Sequence, residues 1–570
     1  METWWWLIFI FTILLCILTT LKSLFNFTIT NPRTNTTKNN LPLPPGPSTL
    51  KVFKILLISI WHRLTVFDLE PKLRNTKYKY GPLFIFGSKS KPTIFIVSHG
   101  LAHLALIRKG AIFSDRPSSQ NTPMLQIFDS NAHRISTAPY GATWRLLRHN
   151  LALEILHPSC IKSYSRVRRW VLSLLCRRFL DEFQRPTDVV DHFRYAMFSL
   201  LVFMCFGDKL SEEKISEIEA VQRRWLLSLG RMSIFILWPK LGRILMGKKW
   251  KELLQVRKDQ ENTFIPLIQA RIKMKSQGKS NNDEELVAYV DSLIDLQLPE
   301  EKRKLNDQEI VSLCGEFLNT GTDSTATALQ WIMANLVKYP AIQDKLYEEI
   351  IGVVGLPEPL GTSPIKCSSE NSQENDFDVL RGVVNEDDLE KMPYLKAVVL
   401  EGLRRHPPVH FLLPHSVTED VGLYGYLIPK NATVNVMVAD MGWDPSMWED
   451  PLEFKPERFL ASNHVNPSVN HYLGNHQWFD LTGNKEIKMM PFGAGRRMCP
   501  GYGLALLHLE YFVANFVWNF EWKAIDEVGV DLSEKQEFTV VMRNPLLARI
   551  KDVLSSLSIF SWVKYQKNSL

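Results

Sequence analysis

The sequence has few cysteines, and no two of them stand at the spacing of a metal-binding or redox pair. Seven are dispersed over 570 residues and no Cys-x-x-Cys occurs: Cys16, Cys160, Cys176, Cys205, Cys314, Cys367 and Cys499. An odd, dispersed set fits neither a disulfide framework nor a zinc ribbon. We expect these thiols to be reduced and to face a cytosol-like compartment.

Long runs of basic residues are absent as well. The chain is 22% charged and 45% apolar, and its 67 basic and 60 acidic residues give a formal net charge of +7. This mild excess argues against nucleic acid as a partner and suits a membrane surface or an acidic protein. No Gly-x-Gly-x-x-Gly turn follows a predicted strand, so the sequence contains no recognisable dinucleotide site.

One stretch of the sequence is long and apolar enough to cross a membrane. Residues 3–21 are 19 uncharged residues, which as a helix would span about 28 Å. A cleaved secretory signal is the alternative, but the acidic second residue and the length of the run favour an anchor over 1–22. Basic residues and no acid follow the run before residue 51, so the positive-inside rule predicts a cytoplasmic remainder.

A proline-rich segment follows the predicted anchor. The cluster Leu-Pro-Leu-Pro-Pro-Gly-Pro at 41–47 cannot be helical and favours a semi-rigid spacer over 23–50. A loose linker is the alternative that composition alone leaves open.

The remainder of the sequence predicts a mainly α-helical body with small β-sheets. Apolar residues recur at three-to-four spacing through most of 100–350, which is typical of helices. Two strands around a turn are predicted at 82–98 and another strand at 432–438. Two polar stretches, 356–381 and 461–485, are predicted to be solvated loops.

One cysteine has a setting unlike the others. Cys499 ends the glycine-rich turn PFGAGRRMC and precedes a stretch with helical spacing. The helix start, together with Arg496 and Arg497, is expected to favour the thiolate. Such a thiolate can be a nucleophile, a redox thiol or a single metal ligand. A nucleophile needs a positioned base and zinc needs three more ligands, neither of which is found nearby, whereas haem iron needs one axial thiolate because the porphyrin supplies four ligands.

The pattern around this cysteine resembles that of the cytochrome P450 haem-thiolate monooxygenases. The family pattern F-x-x-G-x-R-x-C-x-G is matched by Phe492, Gly495, Arg497, Cys499 and Gly501. Further stretches typical of plant microsomal members follow the family's order: FSDRP at 113–117, FMCFG at 203–207 and RRHPPVHFLLPH at 404–415. The resemblance extends from the anchor to about residue 550.

The resemblance implies a fold, a cofactor and a location. It implies a cytochrome P450 fold with a single N-terminal transmembrane helix, in the endoplasmic reticulum membrane, with a catalytic domain over 51–550 facing the cytoplasm. It also implies heme b with the Cys499 thiolate as axial metal ligand. The tail, 551–570, extends past the usual end of relatives and has no assigned role.

A predicted helix over 306–338 carries the segment that the resemblance links to oxygen activation. Residues 320–325, TGTDST, have low helix propensity and predict a local kink that turns hydroxyls inward, with a tolerated polar bulge as the alternative. By resemblance, Asp323 is the acid of a proton relay. Ser324 stands where the family usually has threonine, and Thr325 is a second hydroxyl that could assist.

The resemblance also assigns a structural triad and a set of propionate contacts. Glu401 and Arg404 lie three residues apart on a predicted helix, a spacing that by itself also fits a surface ion pair. By resemblance they form a buried triad with Arg458. The residues implied to contact the haem propionates are Trp144, Arg148, His415 and Arg497, although a solvated side chain remains the alternative for Arg148 and His415.

The resemblance implies a monooxygenase that inserts one atom of O2 into an apolar small molecule, in the class of plant secondary metabolites, lipids or pigment catabolites. Electrons are expected from NADPH through a reductase, for which a basic dock is predicted from Lys485, Lys488, Arg496 and Arg145. Two alternatives stay open. One is a haem-thiolate isomerase or dehydratase acting without O2, against which Asp323 and Ser324 argue, and the other is a catalytically impaired haem-binding membrane protein.

The walls of the substrate pocket are predicted from segments that vary in the family. These segments are 118–136, 228–242, 316–324 and the chain after Pro408. In the last of them, Phe411, Leu412 and Leu413 indicate an apolar or aromatic ligand.

Overall fold

The computed structural model describes most of the chain beyond residue 68 and two short pieces before it. The described residues are 41–48, 51–52, 69–87, 92–117, 133–182, 185–230, 246–277, 286–357, 382–460, 479–525 and 529–553. The predicted anchor over 1–22 therefore lies outside the described residues. So do most of the spacer, most of both predicted loops and the tail after residue 553.

Helices make up most of the described residues, as the sequence predicts. In chain order they are α1 (Glu70–Tyr80), α2 (His99–His103), α3 (Ala142–Glu154), α4 (Pro158–Ser163), α5 (Ser165–Asp181), α6 (Val189–Phe206), α7 (Glu212–Gly230), α8 (Gly247–Ser276), α9 (Tyr289–Ile294), α10 (Asp307–Lys338), α11 (Pro340–Val354), α12 (Glu386–Leu389), α13 (Pro393–Arg405), α14 (Val438–Gly442) and α15 (Tyr502–Asn519). A π-helical turn, Leu104–Arg108, continues α2, and 3-10 turns cover Pro456–Phe459 and Gly495–Arg497.

The strands form small sheets beside this helical body. They are β1 (Leu83–Ile85), β2 (Thr93–Ile96), β3 (Pro186–Asp188), β4 (His415–Ser416), β5 (Val421–Leu423), β6 (Tyr426–Ile428), β7 (Thr433–Val436), β8 (Phe520–Ala524), β9 (Glu534–Gln536), β10 (Val540–Met542) and β11 (Leu547–Asp552). The described sheets have the orders β1-β2-β7-β4 and β3-β11-β8, with two hairpins, β5-β6 and β9-β10. Only the β2-β7 pairing is parallel among the described strands.

Both strand regions predicted from the sequence are confirmed. β1 and β2 pair antiparallel across the predicted turn, and β7 lies within 432–438. Near the predicted end of the catalytic domain, β11 continues to Asp552 and pairs with β8 to that point.

The longest helix, α10, runs through the centre of the protein. It begins as predicted at Asn306, whose side chain accepts from the Glu309 N–H while Glu309 accepts from the Asn306 N–H, both at 2.9 Å. This reciprocal cap satisfies two N–H groups that would otherwise lack a partner. The helix packs most extensively against α6 and α15, so its residues form the middle of the main apolar core.

The segment predicted to kink stays within the α-helix. Residues 320–325 keep the α-helical assignment. The hydroxyls of Thr320 and Ser324 donate to the carbonyls four residues earlier, at 2.7 and 2.6 Å. Since these side chains bond to their own helix, the polar run is accommodated without a break.

Helix α6 has the length and apolar composition of a membrane span, the one such helix among the described residues. However, 72% of the span is buried inside the protein. It packs against α10 and α5, which identifies it as a core helix.

The proline-rich segment is held against the small sheets over the residues that the structure describes. The carbonyl of Pro42 accepts from the Leu427 N–H of β6, and that of Pro45 accepts from the Ile85 N–H of β1, each at 2.8 Å. A Cβ added at Gly46 would lie 2.1 Å from the Ile85 carbonyl oxygen. The segment is therefore an ordered part of the β-rich end of the protein, which favours the semi-rigid alternative over a loose linker.

Candidate active site

The glycine-rich turn folds tightly around Cys499. Its glycines at 493 and 495 both have φ of +71°, a region open to glycine at little steric cost. A Cβ on Gly495 would lie 2.2 Å from the carbonyl oxygen of Leu106, so the turn rests directly on the π-helical turn after α2. The Cys499 N–H donates to the Phe492 carbonyl at 2.8 Å, and α15 begins at Tyr502 just beyond.

The electrostatic setting of Cys499 differs from the prediction. The residue lies deep among protein atoms and keeps a partly accessible surface. Burial raises the pKa of its thiol, while the Gly501 N–H and the charge of Arg148 act to lower that pKa. The expected support from Arg496 and Arg497 is wrong, because the first reaches the Tyr140 hydroxyl and the second is bound to backbone carbonyls. Such a thiol forms a stable thiolate when a metal ion takes up its charge.

Three of the predicted propionate residues lie together beside this turn. Arg148 donates from Nη2 to the Met498 carbonyl at 2.6 Å. The Arg497 guanidinium donates to three carbonyls, of Ser114, Ile135 and Ala138, at 2.8, 3.2 and 2.6 Å. The centres of both guanidiniums lie over the ring of Trp144, at 5.6 Å for Arg148 and 4.3 Å for Arg497.

His415 is close to this group and has an uncharged ring. Its Nδ1 lies 2.6 Å from the Phe113 carbonyl, so the neutral ring keeps its proton on Nδ1. Burial and the nearby Arg116 lower the pKa of His415 to about 3. The histidine is therefore neutral near pH 7 in these surroundings.

The sequence reasoning missed Arg116, which lies in the quoted segment at 113–117. It donates from Nε to Ser136 at 2.7 Å and from Nη1 to the carbonyls of Leu413 and Pro414, both at 2.9 Å. Burial lowers its pKa to about 10. Its place in the quoted FSDRP stretch was the available signal.

One face of α10 is accessible where the rest of the helix is buried. From Glu309 to Val337, the residues that are not fully buried are Glu316, Thr320, Gly321 and Ser324. Glu316, Thr320 and Ser324 are spaced four residues apart and so share one helix face. This polar stripe lies within the predicted wall segment 316–324.

Asp323 lies on a buried face of the same helix and is paired with two arginines from other helices. Its Oδ1 is 3.1 Å from Arg223 Nη1 on α7 and 3.6 Å from Arg194 Nε on α6. Burial raises the pKa of Asp323, and the two arginines oppose that rise. The neighbouring Thr325 is buried. No sequence pattern pointed to either arginine.

The residues of the predicted triad lie in direct contact. Arg404 donates from Nε and Nη2 to the two oxygens of Glu401 at 2.7 and 2.8 Å, and Arg458 lies 3.3 Å from Glu401 Oε1. The Lys455 N–H donates to the same oxygen at 2.8 Å. Glu401 and Arg404 are 0% and 1% exposed, so this is not the surface ion pair that the spacing alone permits.

Comparison with known proteins gives a consistent result. A family profile described as Cytochrome P450 matches residues 44–551. The chain is 46% identical to cytochrome P450 89A9 of Arabidopsis thaliana over 519 residues, 89% of this chain and 93% of the relative. It is 29% identical to a salviol synthase of Salvia pomifera over 502 residues, 87% of this chain and 89% of the relative.

The chain is a cytochrome P450. A zebrafish cytochrome P450 solved with abiraterone has the same fold, with a TM-score of 0.62 and 20% identity over 84% of this chain and 97% of that one. Members of the family are monooxygenases that bind haem through a cysteine thiolate and receive electrons from a reductase.

The residues around Cys499 fit a haem in this P450. The described residues contain no group of three or more His, Cys, Asp and Glu side chains that could hold a metal ion, so a metal at Cys499 would take its other ligands from a cofactor. Arg148 and Arg497 lie beside the cysteine turn, and cations are the groups that a carboxylate-bearing porphyrin needs.

Other predicted positions are only partly in the described structure. Of the predicted pocket walls, 118–132 and 231–242 lie outside the described residues. Leu413 is 57% exposed, whereas Phe411 and Leu412 pack against the cores of the small sheets. Of the predicted dock, Arg145 and Arg496 lie over the ring of Tyr140 at 4.9 and 5.5 Å, Lys485 is exposed and Lys488 pairs with Glu486 at 3.2 Å.

Proposed function

We propose that this P450 is a membrane-anchored monooxygenase that inserts one oxygen atom from O2 into an apolar small molecule, with electrons from an NADPH-dependent reductase. The observation that carries the proposal is the meeting of Cys499, Arg148 and Arg497 at one turn. The substrate belongs to the class of plant secondary metabolites, lipids or pigment catabolites. The plant relatives, one of which is a salviol synthase, support this class.

Cys499 would hold the iron of heme b through its thiolate. Arg148 and Arg497 would neutralise the propionates, Trp144 supports both guanidiniums, and His415 would join them as an imidazolium, since a carboxylate beside its second ring nitrogen favours the protonated ring. Phe492 and Gly501 shape the turn, since their backbone groups bond to the cysteine. When bound, the haem supplies oxygen activation, with electron donation from the thiolate favouring cleavage of the O–O bond.

Asp323, Ser324 and Thr325 would hold and relay the protons that oxygen activation requires. Asp323 is held by Arg194 and Arg223, and its raised pKa keeps a proton available closer to neutral pH. The Ser324 hydroxyl bonds to the Thr320 carbonyl, on the accessible stripe of α10. Thr325 is the second hydroxyl of the relay.

The triad of Glu401, Arg404 and Arg458 has a structural role. Arg404 also donates to the carbonyls of Gly442 and Pro451, at 2.5 and 2.8 Å. These bonds join α13 to the chain that leads toward Cys499.

The experiment that tests the proposal uses the full chain purified from a membrane fraction. We expect the reduced protein with carbon monoxide to give the red-shifted Soret band of a thiolate ligand. We also expect turnover of an apolar plant metabolite, selected by haem spectral shift, to require NADPH, a reductase and O2. Turnover without NADPH and O2 would identify an isomerase or dehydratase instead, and a band at the position of a nitrogen-ligated haem would refute the assignment of Cys499.

Anchoring in the endoplasmic reticulum by residues 1–22 and docking of the reductase on the basic surface are further parts of the proposal. Plant relatives are typically anchored in that membrane. Removal of residues 1–22 should move the protein to a salt-extractable or free fraction while the carbon monoxide band persists. Exchanging Lys485 and Arg496 for glutamine should raise the KM for reductase, whereas the same exchange at Lys345, which pairs with Glu457 on another surface, should not.

A further inference from the structure

The segment 133–138 is bonded on two sides, and its N–H groups face α10. Both oxygens of Glu316 accept from it: Oε2 from the Ile135 N–H at 2.8 Å and Oε1 from the Ser136 N–H at 2.9 Å. A carboxylate that accepts two backbone N–H groups forms the stronger, charge-assisted type of hydrogen bond. Glu316 thus fixes this segment to the central helix.

The carbonyls of the same segment face the cysteine side. Ile135 accepts from Trp144 Nε1 at 3.1 Å and from Arg497 Nη1 at 3.2 Å. Ser136 accepts from Arg116 Nε at 2.7 Å. The segment therefore lies between Glu316 and the cationic side chains proposed to hold the haem.

Glu316 also balances charge and lies close to the reaction site. Its carboxylate acts to raise the pKa of Arg116, against the effect of burial. It lies one and two turns of α10 before Thr320 and Ser324 on the same accessible face, roughly 6 and 12 Å along the helix axis. A shift of the segment at Glu316 would thus displace both the wall of the site and the supports of Arg497.

We propose that Glu316 is a positioning residue that sets where the segment 133–138 stands, and through it the shape of the substrate pocket and the placement of Arg497 and Trp144. The inference rests on the proposed function for its effect on ligands. The contact between carboxylate and amides does not depend on that function.

The first test measures amide hydrogen exchange in the haem-loaded full-length protein. In Glu316→Gln, one oxygen is replaced by an NH2 group that faces a backbone N–H, so one amide loses its acceptor. We expect exchange in a peptide covering 133–138 to be at least tenfold faster, with α3 unchanged. Glu316→Asp, which keeps two acceptor oxygens, should recover part of the protection.

The matched control is Asp307→Asn in the first turn of the same helix. It removes a carboxylate that accepts a 3.4 Å hydrogen bond from Gln269 and has no hydrogen bond to the segment. Exchange over 133–138 should remain as in the unmutated protein. Equal exchange in Glu316→Gln and Asp307→Asn would overturn the proposal.

The second test compares a small and a large haem ligand, imidazole and 4-phenylimidazole, by spectral titration. Imidazole reports on the iron alone, whereas the phenyl group also reports on the pocket wall. We expect the Kd for 4-phenylimidazole to change at least threefold in Glu316→Gln, with that for imidazole unchanged. Unchanged affinity for both would overturn the pocket role, while no spectral response in the unmutated protein would contradict the proposed function and leave the exchange test standing.

Discussion

At the scale of single residues, charges in this P450 are held by partners far away in the sequence. Asp323 is paired with Arg223, 100 residues earlier, and with Arg194. Arg194 is in turn paired with Asp191 at the surface, at 2.7 Å. The buried acid is therefore connected to solvent through side chains that can change their partners.

The first prediction concerns Asp323. We expect Asp323→Asn to lower turnover by about 10²-fold, the size of a lost general acid, with most of the consumed NADPH no longer yielding product. Parallel measurement of product and NADPH consumption checks this. Asp191→Asn, which alters the exposed end of the same chain of charges, should leave product per NADPH within a factor of two or three, and a larger loss there than in Asp323→Asn would contradict the assignment.

At the scale of elements, buried charge joins helices to the loops that support Cys499. The second prediction is that Glu401→Gln destabilises the protein by about 3–5 kcal/mol. The neutral glutamine leaves the buried cation of Arg404 without the negative charge that balances it. Haem content per protein and thermal unfolding measure the effect. Lys455→Gln removes exposed ion pairs with Asp450 and Glu453 and should leave the unfolding temperature and the haem content as in the unmutated protein.

The proline-rich segment gives the third prediction. Gly46→Ala places a Cβ against the Ile85 carbonyl, and we expect destabilisation by about 1–3 kcal/mol, as in other overpacked sites. Gly100→Ala is the control, since nothing lies within 4 Å of a Cβ there and alanine favours helix α2. Equal unfolding temperatures for the two variants would show that the segment is not held at Gly46.

The sequence predicts the elements of this fold better than the contacts between them. The cysteine turn and the cap of α10 were predictable because their residues are fixed by short spacings. Glu316 and Arg223 were not, because their partners lie 180 and 100 residues away and no periodicity marks such pairs. The strands β8 to β11 were not predicted either, because segments of three to six residues are too short to show a clear alternation of apolar and polar residues.

At the scale of the whole molecule, several buried histidines are neutral. Burial lowers the pKa of His406 to about 4, and its ring stacks on Trp331 with centroids 4.0 Å apart. Burial also lowers the pKa of His508. Because the unfolded chain takes up these protons near pH 6.5 and the folded chain does not, stability should fall as the pH drops from about 6.5 to about 4.

The fourth prediction isolates this effect at His406. Between pH 7 and pH 4 the unmutated protein should lose about 3 kcal/mol more than His406→Gln, the equivalent of the shift in its pKa. Urea unfolding followed by tryptophan fluorescence at several pH values measures the difference. Burial raises the pKa of Glu510 to about 7, which acts in the opposite direction, so only the difference between variants is compared.

The central position of α10 has a consequence for how the chain folds as it is made. The partners of α10 include α6, α7 and α8 before it and α13, α15, β8 and β10 after it. The ribosome must add the 204 residues from Lys338 to Met542 before the last of these is available, which takes about 10–40 s at typical rates of synthesis. During that time the apolar surface of α10 that packs against its later partners stays exposed. The nascent chain should therefore depend on chaperones until its C-terminal region has been translated.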